Sequence, residues 1–309
     1  MKIKNALMCG AMAAVMLFAG CGKNSSESGR SDALSGTSDG NIGSGGSAAA
    51  YAVSKEAPAE IEGFEGNVGE VTPKSGDLIA TFEIEGYGTI KAVLFPQAAP
   101  VGVENFQKLC DSGYYKGLNI HRVMSGFMFQ GGSKNGNGTG GSAMVNGGKF
   151  PIETAQNARH FYGALCYANA GPENNSTQFY IVNNKSSQDI GAYNVDANQK
   201  AIDDAVDEVN EVASQYTADV IEAYMADVQY SQNTLTFIKY ASDEIRARYK
   251  EKGGTPSLDG NYTVFGQVYE GFDVIDAISA AEVRNNGANE ISKPVKDIII
   301  KNISVSTFE

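Results

Sequence analysis

The chain has 309 residues, 36 of them acidic and 24 basic, for a formal charge of -12, and its 42% apolar content is enough to bury a core in one large domain or two ordinary ones. An acidic chain with no basic cluster leaves no case for nucleic acid as a partner. His121 and His160 have no close-set cysteines or carboxylates around them, which leaves no case for a zinc centre, and no GxSxG, Walker or HExxH motif is present.

The first elements in chain order are export signals. Lys2 and Lys4 precede a nearly unbroken apolar run, 6–18, too short to anchor as a span of about 20 residues, and small residues follow before Cys21. This reads as a signal peptide over 1–20. From 22 to 50 about half the residues are serine or glycine, a composition unable to order itself, and the predicted tether continues to 76. Removing Lys2 and Lys4 leaves the mature chain two charges more acidic, at about -14. Cys110 and Cys166 then remain in the folded part, either bridged or as two buried thiols, since nothing in the sequence sets their separation.

Order is predicted from 77 onward. Two alternating runs flank EGYG, the pattern of an antiparallel hairpin, and Pro100 opens a helix in which Val103, Phe106, Leu109 and Cys110 share a face until Gly113. Short strands are predicted at 119–123, 127–130, 164–168, 178–182, 263–269 and 295–304, with a second helix over 272–280. Many short strands with two helices imply a closed β-barrel with helical lids.

Residues 192–252 break this pattern, because no glycine or proline follows Ala192 until Gly253. Ile202, Val206, Val209, Ala213, Tyr216 and Val220 form a helical stripe with Asp203, Asp204, Asp207, Glu208 and Glu211 facing away. Asp196 with Gln199 makes a capping box, a bend is predicted at 230–233, and Gly253, Gly254 and Pro256 end the segment. A helical hairpin inserted into the barrel follows, with two readings: a lid without a partner, or a surface for client proteins.

Four pieces carry the chemistry: HRVMSGFMFQGG, GNGTGG, YANAGPENNSTQFYIV and SLDGNYTVFG. GNGTGG matches GxGxxG formally but does not lead from a strand into a helix, so it reads as a tight surface loop and not a dinucleotide site. Taken in order, the other three pieces closely resemble the cyclophilin peptidyl-prolyl isomerases from about 77 to 305, apart from the helical insert, and LFAGC resembles the lipobox of bacterial lipoproteins. The lipobox resemblance implies cleavage before Cys21 and its lipidation, hence an extracytoplasmic protein lipid-anchored to the cell membrane or outer membrane; plain secretion is the alternative. The cyclophilin resemblance implies a mainly β fold, an eight-stranded antiparallel barrel capped by two helices over 77–309, interrupted by the insert at 184–254.

By motif, the resemblance makes Arg122 the catalytic residue and Phe127, Met128 and Leu258 the wall of a proline pocket. It makes Gln130, Ala168, Asn169 and Gln178 the positions that bind peptide backbone. Tyr180 stands where the family usually has phenylalanine at the pocket floor, Tyr262 where many members have histidine, and Ser257 where a ring often precedes LDG. A buried Tyr180 hydroxyl needs a partner. The resemblance implies no cofactor or metal, and proline-containing polypeptides as clients.

The chemistry asks for little more. Rotation about X-Pro faces a barrier of about 20 kcal/mol because amide resonance is lost midway. An apolar slot can hold the ring while a fixed cation favours the twisted amide, and arginine stays charged at any working pH. His121 invites a general-base role, but in a strand it and Arg122 point to opposite faces, so it reads as structural. The competing function is a client-binding chaperone or scaffold with a weak or vestigial isomerase pocket.

Overall fold

A computed structural model of the chain describes residues 50–309; the expected signal segment 1–20, Cys21 and the tether as far as 49 lie outside the described residues. The described chain divides into two compact units, one of Ala57–Ala192 with Tyr240–Glu309, the other of residues 50–56 with Tyr193–Lys239.

The larger unit is a closed barrel. Strands β1 (Leu78–Ile84), β2 (Gly88–Leu94), β3 (Asn119–Met124), β4 (Met128–Gly131), β5 (Ala164–Tyr167), β6 (Phe179–Val182), β7 (Val264–Glu270) and β10 (Ile298–Thr307) close in the order β1-β10-β3-β4-β6-β5-β7-β2. Every pairing is antiparallel. Strands β8 (Val283–Asn285) and β9 (Ile291–Pro294) form a separate two-stranded hairpin. Helices α1 (Pro100–Asp111) and α5 (Phe272–Ser279) supply Val103, Phe106 and Leu109, and Val274, Ile275 and Ile278, to the same core that fills the barrel. Phe106 meets Phe82, Phe179 and Phe265 with ring centroids 5.1–6.4 Å apart, within the range for favourable edge and tilted contacts. The barrel, its strands and its two lids agree with the expected mainly β fold. Cys110 and Cys166 are both free and buried.

The tether ends earlier than expected. Residues 57–76 lack regular secondary structure but belong to the barrel unit: Ile61, Phe64 and Val71 pack on its second apolar cluster, and Phe64 meets Phe95 edge-on at 5.5 Å. The side chain of Asn67, fully buried, donates to the Arg159 carbonyl and to Gln267 Oε1, and accepts from the Arg159 amide. Composition described the segment as flexible because these few anchors are spread among glycine and acidic residues.

The insert is also corrected. It holds three helices, α2 (Val195–Val212), α3 (Ala218–Lys239) and α4 (Asp243–Lys252). The predicted bend at 230–233 lies within the unbroken α3, and the turn falls instead after Val212, where Tyr216 takes an extended backbone (φ -130, ψ 163). Asn194, not Asp196, caps α2 by accepting from the Ala197 amide. Without glycine or proline the turn had no local marker. Of these helices α2 and α3 belong to the smaller unit, while α4 belongs to the barrel unit and ends at Gly253. The next residue, Gly254 (φ +133), passes so close to the barrel that a Cβ there would sit 2.3 Å from the His160 carbonyl oxygen.

Candidate active site

Register places the motif residues on one outer surface of the barrel. Arg122 on β3 lies opposite Gln130 on β4, Gln130 opposite Tyr180 on β6, and Tyr180 opposite Cys166 on β5. Alternation sends the neighbours Phe129 and Ile181 into the barrel core, which leaves Met128, Gln130 and Tyr180 outward. Met128, Tyr180 and Leu258 are buried in one apolar cluster, with Phe127, Ala168 and Tyr262 partly buried against it. The result is a surface with an apolar floor and half-exposed rings at its rim.

The polar side of this surface is ordered by side-chain amides. Gln130 Nε2 donates to Gln178 Oε1 at 3.0 Å, and Gln178 Nε2 to the Gly138 carbonyl at 2.9 Å, so GNGTGG, a surface loop as expected, supports a motif residue. Asn169 Nδ2 donates to the Asn261 carbonyl at 3.3 Å, and the Ala168 amide to the Gln178 carbonyl at 2.9 Å. Every motif residue expected at the site therefore lies on this surface or on the loops beside it.

Arg122 has a partner that sequence reasoning missed. Its Nε donates to Glu290 Oε1 at 2.8 Å and its Nη2 to Glu290 Oε2 at 2.6 Å, a bidentate pair. Nη2 also meets Met124 Sδ at 3.2 Å. Nη1 is engaged more loosely, at 3.4 Å from Gln130 Oε1 and 4.0 Å from Met128 Sδ. The Arg122 hydrogen bond, working against burial, holds the Glu290 carboxyl below its ordinary range. Glu290 lies in NGANE, the β8–β9 connection, where no pattern marks it as a partner of a residue so distant in sequence.

The floor rests on a second unanticipated set. Tyr180 and His160 Nε2 are 2.9 Å apart, and His160 Nδ1 lies 2.8 Å from Asp259 Oδ1. Asp259 also accepts from the His160 amide at 3.0 Å, Arg159 Nη1 at 3.1 Å and the Tyr249 hydroxyl at 2.7 Å. Burial raises the Asp259 pKa, but the His160 hydrogen bond and the Arg159 charge outweigh it and leave the carboxyl below its ordinary value. An ionised Asp259 only accepts, so His160 Nδ1 carries the proton toward it, and Nε2 is the ring nitrogen that meets the Tyr180 hydroxyl. That supplies the partner Tyr180 required. Tyr249 comes from α4, so the last helix of the insert is tied into the floor of the site.

His121 differs from Arg122 for a reason other than alternation. A bulge between Ile120 and Arg122 leaves His121 as the extra residue of β3, buried, with Nδ1 lacking a hydrogen-bond partner among the described residues. Burial first, and the Arg122 charge second, push its pKa down from 6.5 to about 4. Above pH 6.5 both folded and unfolded states hold it neutral; between 6.5 and 4 the unfolded state takes a proton that the native state refuses, so stability falls as pH falls. The loss reaches about 3 kcal/mol near pH 4. His121→Gln should flatten denaturant midpoints across that window, and an unchanged slope would contradict the assignment.

A family model for cyclophilin type peptidyl-prolyl cis-trans isomerase/CLD matches residues 79–305. A putative peptidyl-prolyl cis-trans isomerase of Staphylococcus aureus (strain USA300) is 33% identical over 218 residues, 71% of this chain and 87% of that protein. One of Staphylococcus haemolyticus (strain JCSC1435) is 33% identical over 71% of this chain and 86% of its own length. Among solved structures, a cyclophilin type peptidyl-prolyl cis-trans isomerase of Cryptosporidium parvum aligns with a TM-score of 0.49 at 22% identity, covering 75% of this chain and 99% of that one.

Proposed function

The chain belongs to the cyclophilin-type peptidyl-prolyl cis-trans isomerases, and from that premise we propose that it assists the folding of exported or cell-surface proteins by turning their X-Pro bonds at the Arg122 surface. The observation that carries this reading is the loosely engaged Nη1 of Arg122 beside Met128 and Gln130, while Glu290 fixes the opposite edge of the guanidinium.

In the proposed cycle the proline ring settles against Phe127, Met128, Tyr180, Leu258 and Tyr262. Gln130, Gln178, Ala168 and Asn169 bind the main chain on either side. Arg122 Nη1 donates to the prolyl amide region, favouring the twisted state in which nitrogen regains its lone pair and can accept. No bond is made or broken and no proton moves. Shortening tens of seconds to milliseconds needs about 5–6 kcal/mol, and two charge-assisted hydrogen bonds could supply roughly half or more. Turnover of a short X-Pro peptide by the full chain tests the reading; a rate equal to the uncatalysed one is the contrary result.

The proposal places the enzyme outside the cytoplasm, attached to a membrane through lipid on Cys21, because a charged start, an apolar run and LFAGC precede the folded part. Mass spectrometry of the mature N-terminus should find a diacylglyceryl-modified Cys21, with palmitate among its chains. An unmodified N-terminus would reduce the reading to plain secretion.

A second reading, a client-binding chaperone or scaffold with a weak pocket, is favoured by the same Glu290, whose carboxylate neutralises part of the charge that Arg122 would offer a substrate.

A further inference from the structure

The smaller unit has its own apolar core, made by Ile202, Ala205 and Val209 of α2 and by Ile221, Tyr224, Met225, Val228 and Leu235 of α3. Against it lies the short segment 51–55. Tyr51 and Val53 are partly buried on this core while Ala52 and Ser54 are exposed, the period of an extended chain. The way its main chain is held is unusual. The Tyr51 amide donates to Asn210 Oδ1 at 2.7 Å, and Asn210 Nδ2 donates back to the Tyr51 carbonyl at 3.0 Å. Three residues on, the Ser54 amide donates to Gln229 Oε1 at 2.7 Å, and Gln229 Nε2 donates back to the Ser54 carbonyl at 3.1 Å.

In an extended chain the N–H and C=O of one residue share an edge, and a residue three further on presents the other edge. Asn210 on α2 and Gln229 on α3 therefore grip opposite edges of one peptide lying along the helix pair. Both carboxamides are pre-set: Asn210 Nδ2 also donates to the Val206 carbonyl, and Gln229 Nε2 to Asn233 Oδ1 at 2.7 Å. None of these four main-chain bonds reads a side chain. The side-chain contacts are those of the apolar pair at 51 and 53, and of Lys55, whose Nζ meets Asp203 Oδ1 at 2.6 Å. That hydrogen bond is the leading cause holding the Asp203 carboxyl below its usual range. Asp204, Asp207, Glu208 and Glu211 also lie on α2 and add to its negative field.

We propose that the α2–α3 groove is a binding site for extended, unfolded polypeptide carrying two apolar residues at alternate positions and a basic residue two further on, and that residues 51–55 occupy it until a client segment displaces them. This deepens the folding-assistance reading by giving the insert a client chemistry, and it stands or falls separately from catalysis. The internal occupant competes at an effective concentration on the order of millimolar, so a free peptide binds the native chain weakly.

The test is fluorescence anisotropy of a labelled peptide of sequence AYAVSKE, residues 50–56, with the full chain. Tyr51→Ser with Val53→Ser, which weakens the internal occupant, should tighten peptide binding at least tenfold. Adding Asn210→Ala and Gln229→Ala should reverse that gain, and turnover of a short X-Pro peptide should stay within twofold throughout. Binding that does not tighten, or that survives loss of both carboxamides, would overturn the proposal. So would loss of helical circular dichroism in the Tyr51→Ser, Val53→Ser chain, since the segment would then be part of the fold itself. A wild-type chain without isomerase activity, but with this pattern of peptide binding, would remove the catalytic reading and leave the groove.

Discussion

Arg122→Ala should lower kcat/KM for a short X-Pro peptide by about 10²–10³-fold, because in the proposed cycle it removes a preorganised cationic donor at the group whose electronic character changes in the transition state. The loss should fall mainly on kcat, since the apolar floor of Met128, Tyr180 and Leu258, proposed to hold the ring, is untouched. Arg122→Lys should recover only part, because an ammonium cannot give two parallel bonds to Glu290 and still present a donor toward Gln130. Removing the arginine also strands a carboxylate whose side chain is only 11% exposed, so Arg122→Ala, Glu290→Ala is the control that separates chemistry from stability. Glu290→Ala alone discriminates the two readings. If Glu290 positions Arg122, kcat falls about tenfold with KM little changed, the equivalent of one charge-assisted bond of about 1.5 kcal/mol. A rise in kcat would mean that Glu290 quenches the arginine, as the scaffold reading requires.

Asp259→Ala should be the most destabilising substitution near the site, at about 3–5 kcal/mol. Asp259 is 1% exposed and accepts from His160, Arg159 and Tyr249; Arg159, itself 0% exposed, would lose its ion pair with Asp259. For a domain of this size the expected fall in Tm is roughly 10 °C. Losing Asp259 also frees His160 to rotate, which loosens its hydrogen bond with the Tyr180 hydroxyl in the apolar floor. A Tm within about 1 °C of the native chain, read by calorimetry, would contradict this account of the floor. The acid limb carries the same signature with the opposite group type. Asp259 and Glu290, both held below their ordinary pKa, contribute stability that is present above the unfolded value and lost as pH falls through the folded one. That loss begins at the acid end of the His121 window and continues below it.

The barrel was legible because its strands repeat in twos and its lids in threes and fours, and because each face is buried against one core. Pro100 marked α1 at its first residue, and the predicted strands lie within three residues of those in the structure. What the sequence hid depends on partners far apart in the chain. Glu290 meets Arg122 across 168 residues, from a loop whose composition says only that it turns. Asp259 was visible within LDG, and Arg159 and His160 as adjacent polar residues, but burial made them a network and burial has no period. Asn67 and Phe64 were lost in a glycine-rich background for the same reason. The turn between α2 and α3 escaped because no glycine, proline or cap residue announced it, and the helical stripe of Ile202, Val206 and Val209 was extended through residues that leave the helix.

The measurement that bears most directly on Arg122 as an isomerisation residue is NMR exchange on an Ala-Pro peptide in large molar excess over the full chain. The account predicts cis–trans exchange accelerated from tens of seconds to well under a second, an unchanged cis:trans ratio because a catalyst alters only the rate, and loss of most of that acceleration in Arg122→Ala. Peptide resonances that shift on binding while exchange stays at the uncatalysed rate, in native chain and variant alike, would contradict it.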